Sequence, residues 1–253
     1  MKKLAMEKLF SITGASLLMV ALVGLSPGPV HAADAPTNGP SAVSPGTNTP
    51  SSEPPEGGNG SDLPTAIYLY HRGKQDEALA ILNVVLQKEP QKVNALLLRA
   101  DISMLKQQWE SAAKDLQAVL QVDNANAEAK FDLADIKFMQ HQFDDARVAF
   151  VALPESKDDE LRDLTKYKIF LCDLLGGHEE IAAKELAAFN QAASGASYYF
   201  GNASWDLVHK KPEEARTWLM SAGNIYPARK HLQYMTVLKE MGYLPLPPPP
   251  AAN

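Results

Sequence analysis

The chain has a single cysteine, Cys172, among its 253 residues, so no intramolecular disulfide can hold its fold. A reactive thiol needs a polarising cation beside it. The local sequence Phe170-Leu171-Cys172-Asp173 offers a carboxylate instead, so Cys172 reads as a small buried hydrophobe. Positive charge is also short: 24 Lys and Arg stand against 30 Asp and Glu, a net charge of −6, with no basic stripe. Phosphate attraction supplies most nucleic-acid affinity, so this balance argues against nucleic acid as a partner and offers nothing to an anionic membrane surface. The signatures of chemistry are missing too. There is no His-Glu-x-x-His and no cysteine pair, and Gly57-Gly58-Asn59-Gly60 has neither a strand before it nor a Lys-Ser/Thr after it. His71, His141, His178, His209 and His231 fall at turns or predicted helix ends. Asp144-Asp145, Asp158-Asp159-Glu160 and Glu179-Glu180 each open a predicted helix, where negative charge is favoured by the helix dipole. We therefore expect no catalytic residue, no metal, no cofactor and no small-molecule substrate. Asn202-Ala203-Ser204 matches a glycosylation sequon but lies inside a predicted helix and is read as chance.

Long apolar runs are equally rare, and the one present is at the start. Lys2, Lys3 and Lys8 precede the mostly apolar Leu9–Leu25; Pro27 and Pro29 break the run, and Val30-His31-Ala32 puts small residues at the −3 and −1 places. This order is that of a secretory signal peptide, residues 1–32, cleaved after Ala32 and leaving a mature chain near −8. The expected location is therefore outside the cytoplasm, periplasmic or secreted. A retained segment would instead be a short membrane anchor, and the chain an anchored structural or assembly subunit of an envelope complex. Residues 33–62 are rich in Pro, Gly, Ser, Thr and Asn with almost no large apolar side chain. They cannot bury enough surface to offset the entropy of ordering, and read as a disordered linker.

From Leu63 onward the apolar period becomes about 3.6, and proline almost leaves the predicted helix interiors. The 34-residue stretch Val93–Asn126 is echoed by Ala127 to about Glu160: Ala100 falls on Ala134, Trp109 on Phe143, Glu110 on Asp144, Ala112 on Ala146 and Leu116 on Phe150. A fixed period of this length marks a helical repeat array. Small residues recur where two helices must cross closely, and large apolar residues fill the gaps beside them.

These residues resemble the tetratricopeptide repeat (TPR), whose 34-residue unit carries small residues at unit positions 8, 20 and 27. Val93–Asn126 places Ala100, Ala112 and Val119 there, and the next unit Ala134, Ala146 and, as a departure, Leu153. A unit ending near Glu89-Pro90 carries Ala66, Ala78 and Val85, and one ending near Ile225-Tyr226-Pro227 carries Ala203, Ala215 and Ala222. Between them 161–189 is looser, with Leu164, Tyr167, Phe170, Leu171, Leu174 and Leu175 on one stripe and Gly176-Gly177 at its turn. Pro154 should stop the second helix of its unit a turn early. Ala228–Gly242 reads as a final amphipathic helix, with Leu232, Met235, Val237, Leu238 and Met241 apolar and Gly242 as its cap, covering the last apolar face. Residues 245–253 form a Pro-rich tail.

The resemblance implies an all-α fold over residues 63–244: a right-handed superhelix of antiparallel helix pairs, a TPR-like α-solenoid with four to five repeats and a C-terminal capping helix. It also implies a non-enzymatic scaffold that holds a partner segment in its concave groove, lined by the first helix of each unit. Carried over position by position, the groove residues are Asn94, Leu97, Leu98, Asp101, Glu128, Phe131, Asp132, Asp135, Phe138, Phe200 and Ser204, with Leu105 and Leu207 completing the outer units. Leu97 and Phe131 also suit packing between units, and the carboxylates also suit a solvated helix face. Some TPR domains grip a partner's terminal carboxylate with Lys, Arg and Asn; the matching places here hold Leu97, Leu98, Asp101 and Asp132, so that clamp is missing. The expected partner is a protein or peptide segment with apolar anchors and some Lys or Arg.

Overall fold

The computed structural model describes residues 62–192 and 195–246; the expected signal peptide, the expected linker up to residue 61 and residues 247–253 of the Pro-rich tail lie outside them. The described residues form eleven α-helices and no strand. Ten of them pair as five antiparallel hairpins: α1 (Leu63–His71) with α2 (Gln75–Lys88), α3 (Val93–Leu105) with α4 (Trp109–Val122), α5 (Ala127–Met139) with α6 (Phe143–Val151), α7 (Asp159–Leu175) with α8 (Glu179–Ala192), and α9 (Ala196–Val208) with α10 (Pro212–Ile225). A last helix, α11 (Ala228–Glu240), packs on α9 and α10. The array is a TPR-like α-solenoid, with five repeats among the described residues.

Small residues make the hairpins possible. Ala66, Ala78, Ala100, Ala112, Ala134, Ala146, Ala203, Ala215 and Ala222 are all fully buried, one methyl deep, which lets helix axes approach to the short end of the roughly 8–10 Å range. Leu153, the one large residue in this series, is only half-buried. Each hairpin then buries apolar surface against its neighbours on both sides. Helix α5 shows this division: Ala129 and Ile136 belong to the core shared with α1–α4, while Phe131, Ala134 and Phe138 belong to the core shared with α6–α11.

One device turns the chain between the helices of every hairpin. Gly73, Gln107, His141, Gly177 and Lys210 all have left-handed φ, between 56° and 85°. The amide after each donates to the carbonyl five residues back: Lys74 to Leu69, Gln108 to Ser103, Gln142 to Lys137, His178 to Asp173 and Lys211 to Asp206. This is the Schellman closure of a helix C-terminus, which favours glycine at the left-handed place. Gly242 adopts the same φ after Met241, which caps α11. Entry into helices uses side-chain caps, from Asp62 onto Thr65, Asn126 onto Ala129 and Asp158 onto Glu160 and Leu161.

Helix α6 is nine residues long, whereas the second helices of the other four hairpins have fourteen. It ends at Val151, three residues before Pro154, as the sequence predicts. The lost turn leaves a trough of about 400 Å³ between α5, α6 and α7, lined by Phe131, Phe150, Val151, Leu153, Leu161 and Ile169 among others. The looser fourth hairpin is tied in by charge: Arg147 of α6 donates at 2.6 Å to the fully buried Asp173 of α7. Cys172 beside it is buried, and burial pushes its thiol up to about 12, so it packs rather than reacts.

Candidate protein-binding face

The first helices α3, α5 and α9 carry the residues expected to line a groove. Asn94 at the start of α3 is exposed, and Glu128 at the start of α5 is half-buried. The other nine are buried. Leu97 and Leu98 join the core of α1–α4, and Phe131 joins the next core, edge-on to Phe150 with ring centres 5.3 Å apart. Phe138 and Phe200 are fully covered and cannot meet a partner. The cause in each case is a neighbouring unit: the Lys168 ammonium sits 4.5 Å from the Phe138 ring centre, and Tyr234 of α11 stacks on Phe200 at 4.7 Å. Ser204 is likewise taken up inside, 2.8 Å from the Tyr167 hydroxyl and donating to the Phe200 carbonyl.

The alternative expectation for the carboxylates, a solvated helix face, is corrected by their burial: Asp101 is 2%, Asp132 3% and Asp135 7% exposed. They sit where consecutive first helices lie side by side. Asp135 has a partner from the next unit, since Lys168 of α7 donates to it while resting over Phe138. Asp132 differs: its Oδ2 is buried without a hydrogen bond. Burial holds the Asp132 and Asp101 carboxyls well above the usual carboxylate range. Asp132 is raised further by Asp101, Glu128 and Asp135 and relieved in part by Lys168, and Asp101 is raised further by Glu128. Tyr70 of α1 faces both, and burial together with their charge pushes its phenol up.

The C-terminal half of the first-helix face is covered by the chain itself. Tyr234 of α11 lies against Tyr167 of α7 and donates at 2.7 Å to Asp163. Asp163 also accepts from the Ala196 and Ser197 amides and the Ser197 hydroxyl, so a carboxylate on α7 caps the N-terminus of α9. Gly195 permits this: its φ is +88°, and a Cβ there would collide with the Asp163 carboxylate. Sequence reasoning missed this cap and the Asp135–Lys168 pair, because their partners stand more than thirty residues apart in different repeats. Among the described residues no three His, Cys, Asp or Glu side chains are grouped to hold a metal ion, and no helix is long and apolar enough to cross a membrane.

An array of helix hairpins, each closed by the same turn and joined through buried alanines, defines a helical-repeat scaffold. Residues 103–166 match the family model of the tetratricopeptide repeat. Proteins of this kind serve as protein–protein interaction scaffolds. Among solved structures the chain is similar to YrrB, a TPR protein with an unusual peptide-binding site: identity is 18%, the alignment covers 72% of this chain and 94% of that one, and the TM-score is 0.44. No curated protein matches the chain.

Proposed function

We propose that the protein is a non-catalytic scaffold of the cell envelope that holds a partner's peptide segment along the first helices of its N-terminal repeats. The observation that carries this reading is the contrast between the two halves of the first-helix face. Helix α11 covers Tyr167 and Phe200 in the C-terminal half, whereas in the N-terminal half Asn94 is exposed and Glu128 half-buried beside a row of carboxylates. A segment with apolar anchors and Lys or Arg complements that row. Export rests on the signal-peptide order of residues 1–32.

Site-specific photo-crosslinking from position 94 tests the binding face, with position 148 as control because Val148 is 69% exposed on the second helix α6. The reading requires a defined partner captured from position 94 and not from 148; equal capture from both would sink it. Mass spectrometry of the mature N-terminus tests export. A chain beginning at Ala33 is the expected product, whereas a chain retaining Met1–Ala32 would be an anchored subunit.

A further inference from the structure

The carboxylate row has a repeating geometry with one member missing. Asp101 and Asp135 hold the same place in consecutive repeats, 34 residues apart. Across from Asp135, the next first helix supplies a cation, Lys168, held between that carboxylate and the Phe138 ring. Across from Asp101, the next first helix supplies Asp132 instead, a second acid that is 3% exposed and has Oδ2 unpaired. Burying like charges together is costly unless a cation joins them. The fold tolerates this arrangement, and a filled version of it lies one repeat away.

Resting on the groove reading above, we propose that Asp101 and Asp132, with Glu128 at their edge, seat the cationic head of a Lys or Arg side chain from the bound segment. The incoming head would play the part that Lys168 plays for Asp135. The fitting ligand is an ammonium or guanidinium ion, which donates hydrogen bonds to carboxylates and can meet two of them at once. The half-buried Glu128 marks the side of entry. Binding of the cation is coupled to proton release, because burial and the neighbouring acids raise both carboxyls well above their usual range. The titratable and charged groups facing Asp101 and Asp132 are Tyr70 from α1, Glu128 and Asp135 from α5, and Lys168 from α7.

The test uses the mature chain and two small probes, N-acetyl-arginine amide and its neutral isostere N-acetyl-citrulline amide, followed by amide chemical shifts in NMR. The arginine probe should shift amides around positions 101 and 132 saturably, and bind at least about tenfold more tightly than the citrulline probe. Its affinity should fall as pH is lowered and the two carboxyls take up protons. The double variant Asp101→Asn/Asp132→Asn, which keeps side-chain size and removes the charge, should bind both probes alike. Equal binding of the two probes to the parent, no shift at these positions, or undiminished arginine binding by the double variant would overturn the seat. Crosslinking from position 94 does not depend on the seat. Loss of the arginine effect with that crosslink intact removes the cation seat alone, whereas loss of the crosslink removes the groove reading beneath it.

Discussion

Replacing Asp132 by asparagine should make the protein more stable, and more so as pH rises. The side chain is 3% exposed, its Oδ2 has no hydrogen bond, and Asp101, Glu128 and Asp135 all raise its carboxyl, while Lys168 is already committed to Asp135. Its carboxyl is therefore held above its unfolded value, so between those two values the folded chain binds more protons than the unfolded one. Stability from this group is fully present below the unfolded pKa and is lost as pH climbs through the folded one. Asparagine has nearly the same shape and no charge, so it avoids both the protonation cost and the burial of an anion. A gain of about 1–3 kcal/mol near pH 8 is expected, shrinking toward zero near pH 4, where the parent carboxyl is also neutral. For a chain of this size that corresponds to roughly 2–10 °C in Tm. Urea unfolding followed by circular dichroism, run on parent and variant from pH 4 to 8, measures the difference directly. A variant no more stable than the parent at pH 8, or a difference that does not change with pH, would refute the claim that Asp132 is buried among like charges without a cation of its own.

Ala112 has no exposed surface at the crossing of α3 and α4, so Ala112→Arg combines overpacking with a buried charge. It should cost more than about 3 kcal/mol, and a melting temperature equal to the parent's would show the hairpin pairing to be wrong. Gln107 sits at φ 56° in a turn where two other repeats have glycine. Gln107→Gly should raise the urea midpoint by the equivalent of about 0.5 kcal/mol, and the same change at His141 and Lys210 should add to it, because relief of left-handed strain outweighs the extra freedom of the unfolded chain. Gly195→Ala should cost about 2 kcal/mol or more through its positive φ and its collision with Asp163, and hydrogen exchange at the Ala196 and Ser197 amides should quicken as their shared cap is displaced.

Much of this architecture is legible in the sequence because it is local. A hairpin of two helices needs small residues at the crossing and large ones beside it, and Ala100, Ala112, Ala134 and Ala146 announce that at fixed intervals. Pro154 ends α6 through its own ring and missing amide, whatever surrounds it. The shared Schellman turn was less legible: Gly73 and Gly177 signal it, but Gln107, His141 and Lys210 adopt the same strained φ without glycine, held there by the packing of both helices. The make-up of the candidate face depended on relations between repeats that no 34-residue window contains. Side-by-side first helices bury Asp101 and Asp132 together, give Asp135 the ammonium of Lys168, and let Asp163 cap a helix in the following unit. Tyr234 reaches back 71 residues to Asp163 and closes the far end of the face with α11. Periodicity thus determined which helices form and where each pair crosses. The angle between successive pairs decided which polar groups left water and which were left without a counter-charge, because that angle emerges only when whole hairpins pack against one another.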